Sequence, residues 1–232
     1  YEDLFFNFNL SAYYEKLETS SIASSIKKKQ EGDYFENLIS YSITLNKLDQ
    51  NFQPSEGYVT KFSQTLPIYS EDLTIENSLT ASKYYSVNDS LILSGKLYLK
   101  AVNSIDDNTR VSKRVYIPTY RLRGFASGSI GPKDGTQYIG GNYGSAVTFN
   151  TTLPKLFNAN ENMDFNLFID AANLWHVDYD SSLDSNKIRS ATGISVNWYT
   201  VVGPLSFSYA IPISDAESDA TESFRFRIGT SF

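Results

Sequence analysis

Apolar and polar residues alternate with a period of two along much of this chain. The final segment separates aromatic and aliphatic residues from charged and small polar ones: Phe224, Phe226, Ile228 and Phe232 on one face, Ser223, Arg225, Arg227 and Ser231 on the other. Segments near 3–14, 90–103, 162–173 and 203–212 repeat this separation. Successive side chains of a β-strand point to opposite faces, so the pattern predicts strands with one apolar and one polar face.

Extended over the whole chain, the pattern predicts about ten strands. Their approximate positions are 3–14, 34–47, 57–67, 72–86, 90–103, 140–153, 162–173, 187–200, 203–212 and 222–231. Several are longer than the roughly five or six residues usual in soluble sheets, and alternation over about ten residues is what a membrane-spanning barrel requires. The pattern favours an all-β, antiparallel transmembrane β-barrel. A soluble antiparallel sandwich also alternates and stays open on the pattern alone.

The connections between the predicted strands differ in length. Those near 15–33, 104–139, 174–186 and 213–221 are mostly long and polar, whereas the one near 87–89 is a short turn. Long loops on one side and short turns on the other are typical of outer-membrane barrels. The brief connection on the outer side, near residues 68–71, is an exception.

Composition narrows the choice of fold and compartment. The 232 residues include 17 Tyr and 15 Phe, no Cys, and a formal net charge of -6. Aromatic residues favour strands, and the absence of any apolar run of about 18 residues excludes a conventional transmembrane helix. Because the net charge is negative, we do not expect the chain to bind nucleic acid. Because the chain begins at Tyr1, we expect it to be a piece of a longer protein.

The sequence contains no recognisable catalytic set. We find no Ser/His/Asp arrangement, no phosphate-binding glycine loop and no zinc-ligand spacing. We therefore expect no enzyme activity, no cofactor and no metal site. Asp178, Asp180 and Asp184 could bind a divalent ion, although acidic outer loops are more often merely solvated.

Several strings in the second half of the chain go beyond periodicity. In order, they are Arg121-Leu122-Arg123-Gly124-Phe125, Ile130-Gly131-Pro132, Gly140-Gly141-Asn142, Ile169-Asp170 with Leu174-Trp175, Gly203-Pro204, and the closing run Phe224–Phe232. In this order and spacing they resemble the second half of the barrel in the BamA family of outer-membrane assembly factors. The resemblance is strong from about residue 110 onward and looser before it.

The resemblance implies a specific place in a larger barrel. The family barrel has sixteen strands, and its long Arg-Gly-Phe loop lies between the eleventh and the twelfth. About five predicted strands lie on each side of that loop here. Residues 1–232 would then be one barrel segment, with an inward-folding loop at about 104–139 and a closing strand at about 222–232. The first six strands and the periplasmic POTRA domains would be absent from it.

The resemblance also implies how the long loop is held. In the family this loop folds into the barrel, and the Arg of its motif (here Arg123, Gly124 and Phe125) meets an acidic residue of the wall, here Asp170. Alternation independently places Asp170 on the polar, inward face with Asp164 and Asn166. A second acidic wall position of the family is occupied by Asn150, which can accept a hydrogen bond but carries no charge. From the residues alone, Arg123 and Asp170 would be hydrated charges.

The closing strand carries a second implied feature. In the family the last strand pairs poorly with the first and forms a lateral seam, assigned here to Phe224, Phe226, Ile228, Gly229 and Phe232. Glycine in a strand weakens it and permits a bend, although Gly229 is equally well explained as a simple terminal kink.

The resemblance implies a protein that folds and inserts other β-barrels into the outer membrane without nucleotide or cofactor. Its expected partners are nascent outer-membrane proteins, accessory lipoproteins bound mainly by the missing periplasmic domains, and outer-membrane lipid and lipopolysaccharide. A passive outer-membrane pore and a two-partner secretion-type transporter are the alternatives. A pore would carry the same closing signal without a loop inside it.

Overall fold

Ten long antiparallel strands form one sheet in the computed structural model, which describes residues 2–21, 23–106, 108–153, 162–201 and 203–229. The elements are β1 (Leu4–Leu17), α1 (Ser25–Lys29), β2 (Gly32–Leu48), β3 (Gly57–Ser70), β4 (Thr74–Asn88), β5 (Leu91–Ser104), β6 (Gly124–Phe125), β7 (Lys133–Asp134), β8 (Gln137–Tyr138), β9 (Tyr143–Leu153), β10 (Met163–Trp175), β11 (Arg189–Thr200), β12 (Gly203–Ser214), β13 (Thr221–Glu222) and β14 (Phe224–Ile228). Short 3₁₀ turns lie at Val111–Lys113 and Ser181–Leu183.

The order of strands in the sheet follows the chain, apart from the long excursion between β5 and β9. It runs β1-β2-β3-β4-β5-β9-β10-β11-β12-β14, while β6 with β13 and β7 with β8 form two small pairs. Within the described residues, no pairing joins β1 to β14. The sheet is therefore an open part of a barrel wall.

The predicted all-β, antiparallel architecture is confirmed, and the ends of the first nine predicted strands lie within three residues of their predicted positions. The largest differences are at outer ends. β1 and β2 continue beyond the apolar alternation, with Lys16 opposite Asp33 in the ladder. Backbone hydrogen bonding thus continues after the hydrophobic pattern has stopped. The predicted closing strand 222–232 differs more, because its outer end belongs to β13 and pairs with β6; residues 230–232 lie outside the described residues.

The apolar face of the sheet points outward. In β10, Asp164, Asn166 and Asp170 are buried, whereas Leu167 and Ile169 between them are 51% and 53% exposed. A soluble sandwich would bury the apolar face and expose the polar one. In this sheet the apolar face is exposed and the polar face is buried, as in a barrel wall that faces lipid. The soluble sandwich is therefore excluded.

The excursion between β5 and β9, here called the inward loop (residues 105–142), packs against the inner face of the wall. Its apolar side chains form one buried cluster with wall residues, and the members are Val115, Ile117, Leu122, Phe125 and Ile130 from the loop and Tyr98, Val102, Ala146, Ala172, Leu174 and Ala191 from the wall. Among the wall members, Ala146, Ala172 and Ala191 are small and leave room for the larger loop side chains. The inner face therefore carries a packed core.

Two further connections are structured. Ser24 caps α1 in the connection between β1 and β2 by accepting a hydrogen bond from the Lys27 backbone N–H. In the turn between β2 and β3, the Phe52 ring meets the Tyr199 ring edge-on with 4.8 Å between centroids. The neighbouring Gln53 amide donates to Asp164 at 3.1 Å. This turn therefore contacts β10 and β11 across the inner face. The part of the chain that the structure describes has no helix long and apolar enough to cross a membrane.

Candidate functional site

The Arg123 guanidinium lies against the Asp170 carboxylate on the inner face of β10. Arg123 Nε donates to Asp170 Oδ2 at 2.8 Å, and Nη2 donates to Oδ1 at 2.8 Å. The Arg123 backbone N–H donates to the same Oδ2 at 3.0 Å. Asp170 is fully buried. The paired, planar contact fixes both the position and the orientation of the loop.

Neighbouring wall residues complete this site. Thr148 Oγ1 on β9 donates to Asp170 Oδ1 at 2.9 Å, and Asn150 Oδ1 accepts from Arg123 Nη2 at 3.2 Å. The Arg123 guanidinium carbon lies 3.3 Å from the centre of the Phe168 ring, a cation–π contact shielded from water. Asp170 and Arg123 are therefore both hydrogen-bonded, and their opposite charges compensate each other. Asn150 supports the guanidinium as a neutral acceptor.

The remaining motif residues pack between the loop and the wall. Gly124 has a φ of +91°, and a Cβ built on it would lie 3.2 Å from both Ala191 Cβ and Ala210 Cβ. Phe125 is 2% exposed and belongs to the buried cluster of the inner face. Glycine is needed at this position for its backbone conformation and for the close approach.

Three of the residues assigned to the closing strand lie on the outward face of β14. Phe224, Phe226 and Ile228 are 57%, 45% and 69% exposed. Gly229 follows with a φ of +122°, and its N–H donates to the Pro204 carbonyl at 3.0 Å. This backbone bends at Gly229 in a conformation that favours glycine. Phe232 lies outside the described residues.

Comparison with known proteins identifies the family. The Omp85 superfamily domain matches residues 2–232. This chain belongs to the Omp85 superfamily. The structure is similar to the crystal structure of BamA from Haemophilus ducreyi lacking POTRA domains 1-3, with a TM-score of 0.87 and 23% identity over 97% of this chain and 51% of that one.

Proteins of similar sequence support the same family assignment. The outer membrane protein assembly factor BamA of Neorickettsia risticii (strain Illinois) is 24% identical over all of this chain and 32% of its own length. The protein of the same name from Neisseria meningitidis serogroup B is 24% identical over 81% of this chain and 28% of its own length. This Omp85 chain thus spans about a third of the curated relatives it matches. It is a segment of an outer-membrane β-barrel, as the sequence resemblance predicted.

A second contact region of the inward loop in this Omp85 segment was not predicted from the sequence. Arg110 is 2% exposed and forms ion pairs with Glu36 and, at 3.2 Å, with Glu15. Lys113 also pairs with Glu36, and the Arg110 guanidinium carbon lies 3.9 Å from the centre of the Tyr34 ring. The start of the loop is therefore bound to β1 and β2. The available signal was the basic cluster at 110, 113 and 114, but its partner lies 74 residues away in sequence.

A third contact region joins the loop to the connection after β10. The Asp178 carboxylate accepts from the Thr109 backbone N–H at 2.7 Å and from Asn142 Nδ2 at 2.8 Å, and it pairs with Arg114. Burial raises the pKa of Asp178, but these hydrogen bonds and the Arg114 charge outweigh it and hold the pKa below its usual value. Asp178 is therefore ionised and binds both ends of the inward loop.

The acidic outer residues are engaged by protein groups. Asp180 accepts from the Ser182 backbone N–H at 2.9 Å, and Asp184 accepts from the Val177 backbone N–H at 2.6 Å. Among the residues that the structure describes, no group of three or more His, Cys, Asp or Glu side chains could hold a metal ion. Asp180 and Asp184 accept hydrogen bonds from neighbouring residues, whereas Asp178 accepts them from the inward loop.

Proposed function

We propose that this chain is the wall and inward loop of an outer-membrane protein assembly factor, which folds and inserts β-barrel proteins. The observation that carries the proposal is the Arg123–Asp170 pair, which fixes an Arg-Gly-Phe loop inside an Omp85 wall. The relatives named as assembly factor BamA cover most or all of the chain. Their shared name gives the class of activity that we assign to the whole protein.

The filled inner face supports assembly rather than passive conduction. A porin lumen is polar and holds water, whereas Leu122, Phe125 and Ile130 of the loop are buried against the wall here. Three separate contact regions, centred on Arg123, Arg110 and Asp178, bind the loop to wall and outer segments. A loop held this firmly blocks the route that a solute would take.

The closing strand supplies the place where a client strand would pair. β14 is short, and in the described residues its only partner in the large sheet is β12. An exposed strand edge is a template for another strand. We propose that the other edge of β14 forms a lateral seam, with Phe224, Phe226 and Ile228 facing lipid and Gly229 allowing the strand to bend.

The partners follow from this activity. Nascent outer-membrane proteins would be the clients, and accessory lipoproteins would bind chiefly outside the segment described here. Outer-membrane lipid would cover the outward apolar face. Lipopolysaccharide phosphates would meet the outer connections, which include Lys27, Lys28 and Lys29 of α1. The proposed activity uses no nucleotide, metal or other cofactor, because strand pairing and burial of the client's apolar face in lipid supply the driving force.

The test is the folding of an unrelated outer-membrane barrel into liposomes that contain the full-length protein. Client folding is followed by its heat-modifiable mobility in gels, and efflux of a trapped solute is measured in the same liposomes. We expect faster client folding than in empty liposomes, without rapid efflux. Rapid efflux without accelerated folding would overturn the proposal in favour of a pore.

A further inference from the structure

The last strand of the chain is divided between two pairing partners. From Phe224 to Ile228 it pairs with Leu205–Tyr209 of β12, and the Ala210 N–H then donates to the Ser223 carbonyl at 2.8 Å. One residue further out, the pairing changes: Thr221 lies opposite Phe125, and Glu222 lies opposite Gly124. The outer end of the closing strand is therefore paired with the Gly124–Phe125 motif of the inward loop.

The connection that precedes the closing strand, here called the last outer loop (residues 215–220), is bound to the same part of the inward loop. The Ala126 N–H donates to the Ala220 carbonyl at 2.9 Å, and the Ala220 N–H donates to the Ser129 carbonyl at 3.2 Å. Ser129 Oγ also donates to the Ala220 carbonyl, at 2.9 Å. The Ala126–Ala220 bond extends the β6–β13 pair by one residue, and the two bonds with Ser129 hold Ala220 against the turn that follows β6.

Side chains of the closing strand reinforce the contact from its inner face. Arg225 Nη2 donates to the Phe125 carbonyl at 2.9 Å and forms an ion pair with Glu222. The Arg227 guanidinium carbon lies 5.1 Å from the centre of the Tyr120 ring. The two arginines of the polar face thus both meet the inward loop.

The last outer loop is also fixed to the wall. Arg189 of β11 binds Asp219 through Nε at 2.9 Å and Nη2 at 3.1 Å, and both side chains are almost completely buried. The Ala216 N–H donates to the same carboxylate at 2.8 Å. This pair holds the last outer loop beside the inward loop without involving Asp170.

We propose that the Gly124–Phe125 motif holds the outer end of the closing strand, so that docking of the inward loop on Asp170 sets the position of the seam. The inference rests on the proposed function for its biological meaning, because the seam belongs to that proposal. Arg123 is adjacent to Gly124 in the chain, so release of the guanidinium from Asp170 frees the backbone that pairs with β13. Arg123 and Asp170 then act as positioning residues for the closing strand.

Disulfide trapping in the full-length protein tests this coupling. The double substitution Ala126→Cys and Ala220→Cys places one thiol on the inward loop and one beside it on the last outer loop. Directly opposed residues of antiparallel strands lie within disulfide range. Residues 1–232 contain no cysteine, and any cysteine elsewhere in the full-length protein is replaced by serine. A control pair, Ile194→Cys with Tyr209→Cys, joins opposed and exposed residues of β11 and β12. We expect both pairs to oxidise readily in the wild-type background.

Undocking should affect the two pairs differently. Asp170→Ala, and independently Arg123→Ala, should lower the 126–220 cross-linking yield several-fold and leave the 194–209 yield unchanged. Two undocking variants from opposite sides of the ion pair guard against a folding defect of either one, and the control pair reports a folded wall. An unchanged 126–220 yield in both variants would overturn the proposal, as would failure of that pair to oxidise in the wild-type background.

The cross-linking yield separates this inference from the proposed function. It is measured without a client protein, so a protein that cross-links as expected but does not accelerate client folding would contradict the assembly activity alone. A protein that accelerates folding with a cross-link insensitive to docking would contradict the coupling alone.

Discussion

The Asp170 carboxylate accepts four hydrogen bonds, and three of them come from Arg123. Because the carboxylate is fully buried, loss of the guanidinium would leave a charge without compensation. Breaking a buried pair from one side typically costs about 3–5 kcal/mol.

Arg123→Lys should weaken loop docking although it keeps the positive charge. An ammonium cannot form the paired contact to both Asp170 oxygens or stack as a plane on Phe168. We expect increased protease cleavage within the inward loop, intermediate between wild type and Arg123→Ala. Lys187→Ala, in an exposed outer connection, serves as the control that should cleave like wild type. Equal cleavage of Arg123→Lys and wild type would contradict the geometric argument.

Gly124→Ala should disturb the motif by a different physical cause. The φ of +91° is strained for alanine, and its Cβ would press on Ala191 and Ala210. Such strain costs on the order of 1–3 kcal/mol. Gly128→Ala is a matched control, because Gly128 also has a positive φ but nothing lies within 4 Å of its added Cβ. Urea denaturation followed by gel mobility should show a larger loss of stability for Gly124→Ala than for Gly128→Ala.

At the level of elements, the inward loop is attached at its beginning as well as at its motif. Arg110 and Glu36 are both almost completely buried, so Arg110→Met alone and Glu36→Gln alone should each be strongly destabilising. The double variant should lose less than the sum of the two single losses, because both single changes break the same Arg110–Glu36 contact. Urea midpoints of the four proteins measure this difference. Simple additivity would show that the pair has no energetic coupling.

The Asp178 contact region should respond to acid. Its folded-state pKa lies below the ordinary value, so its contribution is present above the unfolded-state pKa of about 4 and is lost as pH falls through the lower folded value. We expect the Thr109 amide, which donates to Asp178, to lose protection from hydrogen exchange at acid pH. Asp178→Asn should remove that pH dependence. A Thr109 amide whose protection is independent of pH in the wild type would contradict the assignment.

Much of the element level follows from local sequence. Period-two alternation located the ten strands because the side chains of a barrel wall point alternately to the lipid and to the barrel interior. It also placed Asp170 inward. The same face carries Phe168, Ala172 and Leu174, and these apolar residues on an otherwise polar face were a signal that a packed loop covers it.

The contacts between distant segments could not be found in this way. The Arg110–Glu36 pair and the pairing of β13 with β6 join residues far apart in the chain. Alternation reports which face a residue occupies, but it does not report which loop lies over that face. The closing strand was accordingly predicted as one continuous segment, although its outer end pairs with the inward loop.

At the scale of the whole molecule, the wall has an apolar outer face and carries a loop bound to its inner face at several places, and the last strand is shared between wall and loop. This arrangement suits the proposed assembly function, in which one strand edge receives a client while the inward loop covers the inner face of the wall. The proposed assembly activity therefore requires the docked loop.

The rate of client folding in liposomes containing the full-length protein tests that claim most directly. Wild type is compared with Arg123→Ala, Asp170→Ala and the control Lys187→Ala, each first shown by its own heat-modifiable mobility to have formed its barrel. We predict that wild type and Lys187→Ala accelerate client folding to the same extent, and that Arg123→Ala and Asp170→Ala lose at least about tenfold, equivalent to about 1.4 kcal/mol. Correctly folded Arg123→Ala and Asp170→Ala proteins that accelerate folding as fast as wild type would contradict the account.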